Sequence, residues 1–365
     1  MRPIPIINRK HVLSISNLSR NRLVGNKKHN RRVVMSILNV DADCYQEDKK
    51  RQGEHQEEWL KTGYAPLMMS VNGPCIYHWD GIYHTYLIVG TPGLGACAPG
   101  NQLFIGHATT TDFLRWETHE PALYIDTRGW DSGHVWNPFI LEKDNRFWML
   151  YTGAPVDNTQ RIGIAVSDDL ENWERVFDHP IIRPEEYGWA YCPTEQGAGC
   201  RDPYVIQQGD EYWMYYTATT KEGYGCVARA VSKDLLEWQD KGLFYQKDTV
   251  IKCEDPVIIQ TDNDRILLVF NSYLDPANWK GYGLLSVVCD NLEESGNKDP
   301  KPVGSGDSCY AMDLINRRDN EWLVSYVHPG EHGARMFIGV LDASGEIPNL
   351  EQASQADRIA PFLQR

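Results

Sequence analysis

The sequence predicts an all-β protein, a single domain folded as a five-bladed β-propeller over residues 65–365. Three observations carry this reading. A turn-like polar cluster followed by an aromatic or aliphatic strand recurs five times, at Tyr83, Phe147, Tyr212, Ile266 and Trp322, with spacings of 64, 65, 54 and 56 residues. A proline stands nine residues before each of the first three (Pro74, Pro138, Pro203) and ten before the fourth (Pro256), and Asp313 stands nine before the fifth. In three units a polar bend then reaches an Asp with Trp four positions on: Asp112/Trp116, Asp169/Trp173 and Asp234/Trp238. Self-similar, strand-rich units of this length suit propeller blades.

Taken in order, residues 1–34 stand outside that pattern. They hold nine Lys and Arg, with no acidic residue before Asp41. Such a leader reads as an organellar transit peptide, as a basic disordered arm, or as translated upstream sequence ahead of Met35, and it lacks the apolar run of a secretory signal. Residues 35–64 form a lead-in, where Tyr45 to Lys61 is rich in Glu, Gln and Lys without Pro and predicts a short surface helix. Blade one opens at Met68 and passes through Asn72-Gly73-Pro74-Cys75; the Gly- and Pro-rich stretch 91–101 then shapes a pocket mouth. Blade two opens on Trp130-Asp131-Ser132-Gly133-His134-Val135-Trp136-Asn137-Pro138. An aromatic loop, Tyr187-Gly188-Trp189-Ala190-Tyr191, leads into blade three, where Arg201-Asp202-Pro203-Tyr204-Val205, a Gly209-Asp210 turn and a Tyr- and Trp-rich strand make a hairpin with charge at one end.

Composition narrows the partners. The formal charge of -14 disfavours nucleic acid, which needs a basic field, and no run of about 18 apolar residues exists to cross a membrane. Nine cysteines form an odd set without CxxC spacing, which suits reduced thiols in a reducing compartment: the cytoplasm, or an organelle if residues 1–34 are a transit peptide. Cys192 and Cys200, flanking the loop 193–199, are the candidate pair. No metal or cofactor is expected; Ca²⁺ in a carboxylate-rich channel is the one ion considered, and no linear Ca²⁺ loop is present.

In a propeller the first strand of each blade lines the central channel, so equivalent positions form a ring. Just before the repeated proline that ring reads Asn72-Gly73, Trp136-Asn137, Arg201-Asp202, Glu254-Asp255 and, at the fifth place, Ala311-Met312. Three carboxylates and an arginine converge, and charge gathered at a channel is costly unless paired or used. The plainer reading of each dipeptide is a polar bend that starts a strand.

At these residues the chain resembles the five-bladed propeller glycosidases: the β-fructofuranosidases (invertases and levanases) and the related arabinanases and β-xylosidases. Arg201-Asp202-Pro203 matches the Arg-Asp-Pro motif whose Asp steadies substrate hydroxyls. Glu254 falls where the family has the general acid of Glu-Cys-Pro, with Asp255 in place of the Cys, and Phe104-Ile105-Gly106-His107-Ala108 through Trp116 is similar to its Trp-Gly-His-Ala segment. The resemblance implies a small carbohydrate or glycoside ligand, with Glu254 and Asp202 catalytic and Arg201 and His107 near the substrate; the ring adds Asn72, Trp136, Asn137 and Asp255 around it, and the flanking segments add Asp131, His134 and Trp189. Burial and the neighbouring acids are expected to raise the pKa of Glu254. Trp189 is expected either to stack on a sugar face or simply to pack.

One departure outweighs the matches. The family's first blade reads Asn-Asp-Pro-Asn with the Asp as nucleophile, and this chain has Gly73 there. A glycosidase needs a second carboxylate as nucleophile or base, for which Asp131 and Asp255 are the candidates. Weak or absent turnover of sucrose and levan is therefore expected. Three readings follow: hydrolysis with an atypical base or nucleophile, a repurposed sugar-binding propeller without turnover, and an inverting phosphorylase whose phosphate site would draw on Arg201, Arg161 and His134.

Overall fold

The computed structural model describes residues 58–191, 199–275, 280–304, 308–330 and 333–363. The leader, most of the lead-in and Cys192 with its pairing to Cys200 lie outside the described residues. Five antiparallel sheets follow one another along the chain, each with its strands in sequence order. Blade one holds β1 (Ser70–Trp79), β2 (Ile82–Gly90), β3 (Phe104–Thr110) and β4 (Glu117–Thr118), with β5 (Leu123–Tyr124) also on β3. Blade two holds β6 (His134–Lys143), β7 (Arg146–Ala154), β8 (Arg161–Ser167) and β9 (Glu174–Arg175); blade three holds β10 (Arg201–Gln208), β11 (Glu211–Thr219), β12 (Gly225–Ser232) and β13 (Gln239–Gln246). Blade four holds β14 (Glu254–Gln260), β15 (Ile266–Asp275), β16 (Lys280–Cys289) and β17 (Lys301–Pro302); blade five holds β18 (Tyr310–Arg318), β19 (Glu321–His328), β20 (Arg335–Asp342) and β21 (Asn349–Gln352). This is the five-bladed propeller that the repeat predicts.

The Asp-Trp bends explain how each third strand turns into the fourth. Asp112, Asp169 and Asp234 each accept two backbone N–H groups through one Oδ1, while Thr110, Ser167 and Ser232 close the turn through their hydroxyls. The residue after each Asp (Phe113, Leu170, Leu235) takes a positive φ and is buried. Asn291 makes the same two amide contacts in blade four, so the motif extends one blade beyond its sequence signature.

Apolar side chains fill the space between neighbouring sheets. The seam between blades five and one gathers Val71, Leu87, Leu323, Met336 and Ile338 with Leu60 of α1 (Glu58–Thr62) and Ile359 of α2 (Ala356–Ile359). Tyr64 exchanges backbone hydrogen bonds with Met336 at 2.7 and 2.9 Å, and Asn316 of blade five donates to Tyr83 Oη of blade one at 2.8 Å. The ring is closed by packing and hydrogen bonds from both ends of the described chain.

Candidate active site

Every first strand carries the same defect. Pairing with the second strand skips one residue after Asn72, Trp136, Arg201, Glu254 and Tyr310, so two residues face one partner, the geometry of a β-bulge. The bulged residues Gly73, Asn137, Asp202, Asp255 and Ala311 all have φ between +39° and +55°. Glycine, Asn and Asp accept that conformation most readily, and the following proline needs no ladder N–H at a bulge. The fifth member is thus Tyr310-Ala311, one residue earlier than the expected Ala311-Met312. A second irregularity between Leu314 and Asn316 adds a residue to blade five, which moves the count from Trp322 by one.

The ring divides the channel. On one side lies a cavity of about 210 Å³, bordered by Asn72, Trp136, Asn137, Arg201, Asp202, Glu254 and Asp255. These expected residues are joined there by Cys97, Gln102, Gln160, Lys252, Tyr282 and Tyr310, which the sequence did not single out. On the other side a narrower space is bordered by the prolines, Tyr204 and Asp313.

Arg201 organises the acidic wall. Its Nη2 lies 2.6 Å from Glu254 Oε1, its Nε 3.3 Å from Asp202 Oδ2, and its Nη1 donates to Gln160 Oε1 at 3.0 Å. Lys252 Nζ stands 3.5 Å from the same Glu254 oxygen, and Tyr282 Oη donates to Glu254 Oε2. Asp202 Oδ2 accepts from Thr217 Oγ1 at 2.8 Å and from the amide of Asp255 at 3.2 Å, while Asp255 accepts from Asn137 Nδ2. Consecutive carboxylates therefore diverge: Glu254 is held by blade three and by β16 of its own blade, Asp255 by blade two.

The protonation pattern corrects an expectation. Burial pushes Glu254 up, but Arg201, then Lys252 and the Tyr282 hydrogen bond, outweigh it and hold the carboxyl below the usual range. Burial raises Asp255 well above that range, with the adjacent charges of Asp202 and Glu254 adding to it. Burial also raises Asp202, against the pull of Arg201. Of the three carboxyls, Asp255 is the one whose neutral form burial and its acidic neighbours favour most, while Arg201 and Lys252 lie on Glu254.

Four expected ligand contacts sit elsewhere. Asp131 is fully buried, paired with Arg175 at 2.6 Å and bonded to Tyr151 Oη at 3.0 Å, a pin inside blade two. His107, on the third strand of blade one, stacks between Tyr86 and His119 and bonds His84 at 3.1 Å. His134 is buried against the carbonyl of Asn101 and stacks on Trp136, so it supports that ring from outside the cavity lining. Trp189 donates to Asp240 and stacks on Tyr187, the packing alternative. Lys252 had a weak signal, two residues before Glu254; Tyr282, on a different strand, had none. Among the described residues no group of three or more His, Cys, Asp or Glu is arranged to hold a metal ion.

Gly73 faces this wall with no side chain. A Cβ built there would lie 2.8 Å from Asn137 Oδ1 and 2.9 Å from Ile88 Cδ1, so the carboxamide that bonds Asp255 already fills the space above the glycine.

Comparison with known proteins agrees with the fold. Residues 64–335 match the model of the glycosyl hydrolases family 32 N-terminal domain. A sucrose-6-phosphate hydrolase of Vibrio alginolyticus is 28% identical over 193 residues, covering 51% of this chain and 38% of that one. The chain spans well under half the length of the curated relatives it matches first. Among solved structures, a mutant of a Bombyx mori beta-fructofuranosidase in complex with sucrose superposes with a TM-score of 0.61 at 15% identity, covering 84% of this chain and 69% of that one. An endo-arabinase from Bacteroides thetaiotaomicron does so with 0.59 at 16% identity, covering 76% and 96%.

Proposed function

Because the chain belongs to the family of glycosyl hydrolases family 32 N-terminal domains, we propose that it is a glycoside-hydrolase-like propeller taking a furanoside or related small glycoside into its channel pocket. One observation carries the reading: Asn72, Trp136, Arg201 with Asp202, and Glu254 with Asp255 reach one cavity from four blades. Asp202, oriented by Arg201 and Thr217, is suited to bind sugar hydroxyls, and the Trp136 ring offers an apolar face for a sugar. Glu254 is one of the two reacting carboxylates.

Gly73 favours a second reading, a sugar-binding propeller without turnover, since glycine cannot form the covalent intermediate of a retaining enzyme. The phosphorylase reading loses two of its basic groups, because Arg161 is engaged by Glu185 at 2.9 Å and His134 by Asn101. Calorimetric titration with fructose, sucrose, fructans and arabinofuranosides, run beside hydrolysis assays of wild type and Glu254→Gln, tests the proposal. One furanoside should bind both proteins, with slow turnover that falls about a thousandfold in Glu254→Gln. Failure of every furanoside to bind would sink it, as would sucrose turnover at a few per second, on the order of an ordinary enzyme, that Glu254→Gln leaves unchanged.

A further inference from the structure

Gly73 breaks the carboxylate set of the pocket on blade one, and Asp255 stands at the same bulge of blade four. We infer that Asp255 stands in for the carboxylate that blade one withholds, acting as the proton donor to the glycosidic oxygen while Glu254 activates water. This rests on the hydrolytic reading above.

The argument starts from position. Asp255 and Gly73 occupy the same bulge in different blades, with φ of +51° and +46°. The space over Gly73 is taken by the Asn137 carboxamide, whose Oδ1 would lie 2.8 Å from a Cβ at 73 and whose Nδ2 donates to Asp255 Oδ1. Asn137 is in blade two and Asp255 in blade four, so this bond reaches past blade three and brings the Asp255 carboxyl towards the side where a blade-one carboxylate would stand. Glu254 turns the other way, to Arg201 and Tyr282.

Donor counting separates the roles. Both Glu254 oxygens face donors: Arg201 and Lys252 at Oε1, Tyr282 Oη at Oε2. A proton on Oε1 would oppose the two cations, and one on Oε2 would have to turn the Tyr282 hydroxyl into an acceptor, so Arg201 and Lys252 hold this group as the acceptor. Asp255 receives Asn137 at Oδ1 and keeps Oδ2 to carry a proton, with burial and the nearby Asp202 favouring its neutral form.

The step balances without a covalent intermediate. The Asp255 carboxyl proton passes to the glycosidic oxygen as the bond from that oxygen to the anomeric carbon breaks. Water adds to the anomeric carbon from the opposite face and gives a proton to the Glu254 carboxylate. The products are the free sugar with inverted anomeric configuration and the released alcohol; exchange with solvent returns Asp255 to the acid and Glu254 to the carboxylate. This is the inverting scheme, in which one carboxyl donates and the other acts as base.

The experiment compares alkyl and nitrophenyl glycosides of the sugar that the titration identifies, in wild type, Asp255→Asn and Glu254→Gln. A good leaving group needs no proton, so Asp255→Asn should lose about a thousandfold in kcat/KM on the alkyl glycoside and less than about tenfold on the nitrophenyl one. Glu254→Gln should lose about a thousandfold on both. NMR of the first sugar product should show inversion. Sugar affinity near the wild-type value in both variants certifies that each is folded; if Asp255→Asn fails this, Asp255→Glu is expected to keep part of the alkyl activity. Retention of configuration, or nitrophenyl activity spared in Glu254→Gln instead, overturns the assignment while leaving hydrolysis intact. Binding without turnover of either substrate overturns it together with the hydrolytic reading, and leaves the sugar-binding one.

Discussion

Blades one and four bend their first strands at the same point and place opposite chemistry on the bend. Gly73 offers no side chain; Asp255 offers a carboxyl group, preceded by Glu254. Yet both bulges border the same channel, because the fold repeats the backbone and leaves the side chain free. A left-handed residue other than glycine costs about 1–2 kcal/mol, and the ring accepts that cost at Asn137, Asp202, Asp255 and Ala311. Catalytic groups on such a ring can move from blade to blade without any change in main-chain path. The bend of blade four meets the cations, Arg201 from blade three and Lys252 just ahead of β14, through Glu254, so a carboxylate meets a different field there than at Gly73.

The strongest way to break this contrast is to remove its cation. Arg201→Met would leave the Glu254 and Asp202 carboxylates, 15% and 5% exposed, without the guanidinium that pairs both. Stripping one partner from a buried ion network costs about 3–5 kcal/mol. Urea denaturation should show a loss of that size, together with loss of sugar binding in the titration. A variant as stable as wild type would mean that solvent, and not Arg201, keeps these groups charged.

Restoring the absent carboxylate probes the other blade. Gly73→Asp must displace Asn137 or Ile88, since its Cβ would stand 2.8–2.9 Å from their side chains. Overpacking of this kind costs about 1–3 kcal/mol, and the displaced carboxamide would release Asp255. The variant should melt earlier and hydrolyse no more sucrose than wild type, whereas Gly73→Asp combined with Asn137→Ala should recover only the overpacking part of the loss, because residue 73 keeps its positive φ. A tenfold or greater gain in turnover, about 1.4 kcal/mol in barrier, from Gly73→Asp alone would show that the blade-one place is still open and that Asp255 has not replaced it.

What the sequence disclosed follows the same division. The propeller was legible because each hairpin announces itself by turn residues and a strand period, and the ring was legible in blades one to four because proline marks the bulge. Blade five has Met312 in that place and an extra irregularity before Asn316, so its register slipped by one. Asp131, His107, His134 and Trp189 look like ligand contacts in a linear motif, but a motif does not say on which side of a sheet its residue packs. Tyr282 reaches Glu254 from β16, across the sheet from the strand that carries the motif, and no local pattern encodes that contact. The protonation of Glu254 was misread for the same reason: it depends on where Arg201, Lys252 and Tyr282 end up.

The smallest expected effect is on the pH dependence of stability, where buried groups of blades one and five oppose each other. In blade one, burial and then the neighbouring histidines hold His84 down to about 4 and His107 down to about 3. An unfolded chain protonates these rings near their ordinary value of 6.5, so it binds protons first, and stability is lost as pH falls from about 6.5 towards the folded values. In blade five, burial raises Asp313 to about 7, although the amides of Ile76 and Leu314 pull it down. Here the folded state binds the proton first; the contribution is complete below about 4 and is lost as pH rises through about 7. Between those limits the two slopes have opposite sign and partly cancel. Asp313→Asn removes one of them, so urea midpoints of that variant should climb more steeply with pH from about 4 to about 6.5 than those of wild type. His107→Gln should do the reverse. Equal slopes for Asp313→Asn and wild type would mean that water reaches Asp313 from the narrow side of the ring, and that only the wall around Glu254 and Asp255 perturbs its acids.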